Sequence, residues 1–247
     1  MTSRPTQTMY LVVAAVVLGA WLAARSVEAQ QSGPTTQERV AALKQSMQES
    51  QTKLRQYEWI ETTIISLKGE EKGRTQKRCF YGTDGKLQKV PIADPKPAQP
   101  PQASGRRGGR AKAKIVENKK DEMKEYMEKA VALIQSYVPP NPAKIQAAKD
   151  AGKMAVQPIP AGGARIEFKD YVKPKDLLAI EIDPSGTRLS TITVASYMDS
   201  PDDAVTLNVV FAALEDGTSY TSKTTLDAKA KNITVVVSNG GYKKLAQ

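Results

Sequence analysis

Four glutamates, three aspartates and one cysteine are the side chains of this sequence best suited by type to do chemistry. Glu58, Glu61, Glu167 and Glu181 fall in segments of alternating polarity, and any two brought together by folding could act as general acid and base. No spacing selects a pair, and isolated glutamates on strands ordinarily point to water. Asp199, Asp202 and Asp203 could offer oxygen ligands to a hard cation, but MDSPDD lacks the ligand count and spacing of a calcium loop and reads as a turn. Cys79 sits in KRCFYG beside Lys77 and Arg78, neighbours that favour a thiolate. With no base in sequence reach, it reads instead as a small buried strand residue.

What is missing narrows the classes further. The chain has no histidine, which removes Ser-His-Asp and Cys-His catalysis and the usual catalytic zinc sites. One cysteine cannot form an internal disulfide. Neither a phosphate-cradling glycine loop nor a dinucleotide fingerprint is present. The expectation is a binding or structural protein rather than an enzyme, with no metal and no cofactor.

The elements that would position a binding site follow from periodicity. Thr35-Thr36-Gln37-Glu38 offers a capping box, and Val40, Leu43, Met47 and Leu54 form one apolar stripe on a helix ending near Arg55. The pattern then alternates: YEWIETTIISLKG, RTQKRCFYG and KLQKVPI read as three strands with charged turns. Residues 93–114 are rich in Pro, Gly and Arg and are expected to form a disordered basic loop. A second helix carries Met123, Met127, Ala130 and Ile134 on one stripe and is stopped by Pro139-Pro140. A third starts at Asn141-Pro142 and ends at Gly152.

After the Pro- and Gly-rich QPIPAGGA come six strands with short links, ARIEFKDYV to KNITVVVSN, which makes an antiparallel meander. In VTLNVVFAALEDGTSYT, Val205, Leu207, Val209, Phe211 and Ala213 share a face, and Asp216-Gly217 supplies a tight hairpin turn. Leu178, Ile180, Ile182, Ile192, Val194, Val235 and Val237 extend that face, with Trp59 and Ile65 as further members. The fold class predicted is α+β: a curved, half-barrel-like antiparallel sheet with an N-terminal helix and a helical hairpin on one face.

Met9 to Ala24 is uncharged and apolar, and Val27-Glu28-Ala29 offers a small-x-small cleavage step. Residues 1–29 are therefore expected to be a signal peptide cleaved near Ala29. Residues 30–247 would form a single periplasmic or secreted domain. The formal charge of +10 suits contact with polyanions, of which nucleic acid is the least expected outside the cytoplasm.

The order of helix, three strands, helical hairpin and long meander behind a signal peptide resembles the lipoprotein-carrier (LolA/LppX-like) superfamily. CFYGTDGKLQKVP, EMKEYMEKAVALIQSYVPP and GGYKKL are also similar to an uncharacterised family of exported bacterial proteins. The carrier resemblance implies an unclosed barrel whose helices lie on the concave side, with room for acyl chains between the two layers.

A long apolar sheet face is not left wet. The expectation is that the helices cover it incompletely or reversibly, leaving an apolar groove for a lipid or other amphiphile. Its lining would come from Met47, Trp59, Ile65, Met127, Ile134, Ile180, Ile192, Val194, Leu207, Val209, Phe211 and Val235. Arg74, Lys77 and Arg78 would face an anionic headgroup. Two alternatives remain: a module binding anionic polymers or membrane surfaces through the basic hairpin and loop, and a purely structural domain.

Overall fold

A computed structural model describes residues 36–92, 109–160 and 162–245, with side chains from 42 in the first helix and from 121 in the second. The expected signal peptide, and most of the loop expected over 93–114, lie outside the described residues. The fold class is as expected. Among the described residues, ten antiparallel strands form one open sheet, and three α-helices accompany it. Helix α1 spans Thr36–Leu54, α2 spans Gly109–Gln135 and α3 spans Pro142–Asp150.

The strands are β1 (Tyr57–Leu67), β2 (Glu70–Tyr81), β3 (Leu87–Pro91), β4 (Met154–Pro158) and β5 (Ala164–Lys169), then β6 (Leu177–Ile182), β7 (Leu189–Tyr197), β8 (Ala204–Ala213), β9 (Ser219–Ala228) and β10 (Ile233–Lys244). Their order in space is β3-β2-β1-β10-β9-β8-β7-β6-β5-β4. The meander is thus continuous from β4 to β10, and β10 then pairs with β1 to append the first hairpin. β3 and β4 are left as the two edges, so the sheet does not close. Register shifts in β1–β10, β1–β2, β6–β7 and β8–β9 mark bulges, the devices that bend a sheet and raise its local twist.

Two boundaries differ from expectation. Helix α2 begins at Gly109, inside the segment predicted to be loop, so residues 109–114 are helical. The Pro and Gly of that segment end at Gly109, and Arg-Ala-Lys-Ala-Lys after it are all good helix formers. Strand β4 was missed because MAVQP is short, ends in proline and shows only two alternating apolar residues. It becomes a strand by pairing Met154 with Phe168 and Val156 with Ile166 on β5. Pro158 is tolerated because β4 is an edge. Asn141 caps α3 as expected, its side-chain oxygen accepting from the Ala143 and Lys144 amides at 2.9 and 3.4 Å.

One apolar row crosses eight of the ten strands. Met154, Phe168, Leu178, Val194, Leu207, Leu226, Val235 and Ile65 stand opposite one another on successive strands from β4 through β10 to β1. From Phe168 to Leu226 the row is buried; Val235 is partly buried and Ile65 is 45% exposed. Ala130, Tyr137 and Ala148 of α2–α3 belong to the same buried cluster, with Met127, Leu133, Ile134 and Ile145 packed against it. Each large side chain fully removed from water there contributes about 1.5–3 kcal/mol.

Candidate functional site

Buried tyrosine–carboxylate contacts decide how the hairpin is held. Asp176 is 3% exposed and lies in the loop between β5 and β6. Its carboxylate accepts from the Tyr171, Val172 and Lys173 amides at 2.5, 3.0 and 2.7 Å and from the Tyr137 hydroxyl at 2.5 Å. The Tyr137 hydroxyl also meets Ser196 on β7 at 2.8 Å. Further along α2, the Tyr126 hydroxyl donates to Asp203 in the β7–β8 turn at 2.5 Å. Burial and these carboxylates push both phenols well above the ordinary tyrosine range, so both remain neutral donors. A carboxylate with four donors and no cation is stable only while the set is complete. These bonds fasten the hairpin to the β5–β6 loop, to β7 and to the β7–β8 turn.

Helix α1 is held differently. It reaches the same face at the β8–β9 end, as the bulges show. The extra residue of β9 leaves Phe211 on the Val209 side of β8, and the extra residue of β7 leaves Leu189 on the Ile192 side. Between them and the helix lies a hollow of about 210 Å³, bordered by Met47, Ser50 and Leu54 of α1 and by Leu189, Phe211 and Tyr220 of the sheet. Ser50 is buried and its hydroxyl accepts from the Ser219 amide at 3.0 Å. Met47 is 40% exposed at the rim. Here the cover is incomplete.

The twelve residues expected to line a groove fall into distinct places. Ile192, Val194, Leu207 and Val209 are buried in the core under α2–α3, with Met127, Ile134, Ile180 and Val235 packed against them. Those eight pack together, and Met127 also borders an open surface hollow of about 400 Å³ on α2 with Lys124, Val131 and Gln135. Met47 and Phe211 border the hollow under α1. Ile65 is exposed, and Trp59 belongs to an aromatic cluster that sequence reasoning missed.

That cluster gathers at the ends of β1, β9 and β10. Trp59 stacks on Tyr242 with centroids 5.5 Å apart and planes 15° apart, and it tilts against Tyr81 at 6.0 Å. Tyr220 and Tyr57 approach Tyr242 at 4.4 and 6.3 Å. The signal was Asn239-Gly240-Gly241. Across the β1–β10 register shift, Glu58 opposes Lys243 while Ile60 opposes Gly240. Gly241 absorbs the extra residue with φ +65°, a value L side chains rarely adopt. The bulge turns Tyr242 onto the face of Tyr57 and Trp59. The Trp59 indole also donates to Asn239 at 3.2 Å.

Beside the cluster opens a cleft of about 580 Å³ lined by Tyr57, Tyr220, Tyr242, Asp216, Glu215 and Lys244, among others. Tyr220 is a wall of both hollows. The turn at Asp216-Gly217 is longer than expected. Leu214 and Thr218 close it, and among its central residues only Gly217 has positive φ. The extra length frees Asp216, which accepts from the Tyr57 hydroxyl at 2.7 Å and the Thr218 amide at 3.0 Å. Hydrogen bonds from Thr218 and Tyr57 hold its carboxyl down at about 2.

The three cations expected to meet a headgroup do not converge. Lys77 shares the Cys79 face of β2, while Arg74 and Arg78 point to the opposite face. Arg74 forms a two-bonded pair with Glu71 at 2.9 and 2.8 Å, and Arg78 lies 3.6 Å from Glu58 and over the Phe80 ring. The chemistry-bearing glutamates are likewise paired. Glu61 meets Lys89 at 2.5 Å, and Arg165 bridges Glu167 and Glu181 at 2.8 and 2.7 Å. Cys79 is fully buried on β2 directly opposite Trp59 of β1, and desolvation raises its thiol. Asp199, Asp202 and Asp203 form a turn closed by Asp203 amide and carbonyl bonds. Among the described residues no group of His, Cys, Asp and Glu is arranged to hold a metal ion. No described helix is long and apolar enough to cross a membrane.

Comparison with models of protein families finds no match, and comparison with curated proteins finds none either.

Proposed function

We propose that the protein binds an amphiphile at the α1 end of its sheet. The observation that carries the reading is the hollow of about 210 Å³ between Met47 and Leu54 on one side and Leu189 and Phe211 on the other. It adjoins a larger polar-mouthed cleft across Tyr220. Apolar walls beside a few polar groups are the usual make-up of a small-molecule site. An apolar tail takes the first space and a headgroup the second. The proposal keeps the likeness to the lipoprotein-carrier superfamily and export behind a cleaved segment ending near Ala29, and narrows the expected groove under both helical units to its α1 end.

The reading of an anionic-polymer module is supported less well. Of the basic residues on β2 and β3, Lys72, Arg74, Arg78 and Lys89 are each matched to a glutamate, and paired exposed charges attract a polyanion weakly.

Mass spectrometry of organic extracts from the natively produced protein tests the proposal. A stoichiometric amphiphile is expected from the wild type and is lost when Met47→Trp fills the hollow. Extracts empty of amphiphile, together with no uptake of a fluorescent fatty acid, sink it.

A further inference from the structure

The apolar surface that borders the hollow under α1 continues past Leu189. Leu189, one of its walls, stands opposite Ile182 on β6, and that row runs on through Ala164 of β5 to Pro158 of β4. The next row on the same face holds Ile192, Ile180, Ile166 and Val156. Neither row contains a charged side chain. The charges of these strands, Arg165, Glu167 and Glu181, pair with one another on the opposite face. Cover falls toward the β4 edge: Ile192 is 4% exposed, Ile180 and Ile166 are partly buried, and Val156 is 59% exposed. The other flank of the sheet is different, because Ile65 shares its face with Thr63, Glu61, Thr75 and Lys77.

The size of the hollow gives that continuation its meaning. About 210 Å³ is room for roughly seven groups of water or methylene size at about 30 Å³ each, so a chain of medium length fills it. From β7 to β4 is three strand spacings, about 14 Å, a path that only a long chain can follow. We infer that the strip from Leu189 to Val156 seats the distal half of a long acyl chain, so that the protein selects its amphiphile by chain length. This deepens the amphiphile reading and rests on it: the first carbons lie under α1, and the rest cross β6 and β5 toward the β4 edge. A second copy of the chain is the competing occupant. Strand β4 is short and ends in Pro158, features that blunt edge-to-edge pairing.

Displacement of a fluorescent fatty acid from the full chain tests the strip. The competitors are octanoate, dodecanoate and hexadecanoate, all below micelle-forming concentration. A methylene half removed from water adds about twofold in affinity. Hexadecanoate is therefore expected to bind more than about 100-fold more tightly than octanoate, with dodecanoate between them. Val156→Asp and Val156→Lys change a side chain already mostly in water. Each should weaken hexadecanoate about tenfold and leave octanoate within about twofold. Their opposite charges separate loss of the apolar path from attraction or repulsion of the carboxylate. Equal binding of octanoate and hexadecanoate by the wild type, or a preference that survives both substitutions, overturns the strip while the amphiphile reading stands. No binding of any chain overturns both. Sedimentation velocity checks the competing occupant: a monomer is expected, and a dimer that Val156→Asp dissociates would give the strip to a second copy and overturn the proposal.

Discussion

At one end of the covered sheet face, Tyr137 and Asp176 lock the α2–α3 hairpin onto β6 and β7; at the other, α1 rests on the β8–β9 hairpin across a partly empty apolar space. The first contact buries Phe168, Leu178, Val194 and Leu207 and saturates a buried carboxylate with four donors. The second buries Ser50 and leaves Met47 at a rim. The difference separates two tasks a helix can perform on one sheet. Where packing is dense and polar groups are matched, a helix completes a core; where packing is left unfinished, it roofs a hollow.

Substitutions at the two ends should therefore differ in what they change. The largest effect is expected for Asp176→Ala, which strands three backbone amides and the Tyr137 hydroxyl in a dry interior. A loss of about 3–5 kcal/mol, or failure to fold, should appear in urea denaturation. Leu178→Ala, a cavity in the centre of the apolar row, should cost about 2–5 kcal/mol by the same measurement. Either substitution behaving like a surface change would erase the contrast.

Gly241→Ala is intermediate. The space beside Gly241 is open, with Ile60 3.8 Å from the added carbon, but the backbone there has φ +65°. A loss of about 1 kcal/mol is expected. Near-ultraviolet circular dichroism should change as the Trp59–Tyr242 stack shifts. Met47→Ala should cost less than about 1 kcal/mol because the side chain is already half in water. Its effect should instead appear in amphiphile uptake; the reverse pattern would make α1 an ordinary core helix.

The smallest effect concerns pH. The Asp216 carboxyl is held at about 2, below its ordinary value of 3.8. A depressed carboxylate stabilises the fold fully above its unfolded value and progressively less as pH falls through its folded one. Wild-type urea midpoints should thus decline between about pH 4 and pH 2 more than those of Asp216→Asn. Exposure of the group keeps the difference small. Coincident profiles would mean that Asp216 is not held by Tyr57 and Thr218 in solution.

Much of the layout is written in local patterns. Val205, Leu207 and Val209 alternate with polar neighbours, and a period of two places one set on one face whatever the partner strands. Asn141-Pro142 fixes the start of α3 because a cap and a pre-set φ act within one turn. The meander follows because short links leave no room for crossovers. Even the bulge beside Tyr242 had a trace in Gly240-Gly241, although what it would bring together was not evident from the strand alone.

The tertiary structure decided the rest, because those decisions rest on contacts distant in sequence. The Tyr137–Asp176 and Tyr57–Asp216 bonds join residues 39 and 159 positions apart, and periodicity carries no information at such range. The stripes of α1 and α2 look alike in sequence, yet Ala130 and Ile134 of α2 join the buried cluster while Met47 and Leu54 of α1 border a hollow. Amphipathicity says only that a helix face will be covered; side-chain volumes meeting across the gap determine whether it is filled. For the same reason the basic residues of β2 read as one cluster along the chain, whereas the pleat sends Lys77 to one face and Arg74 and Arg78 to the other.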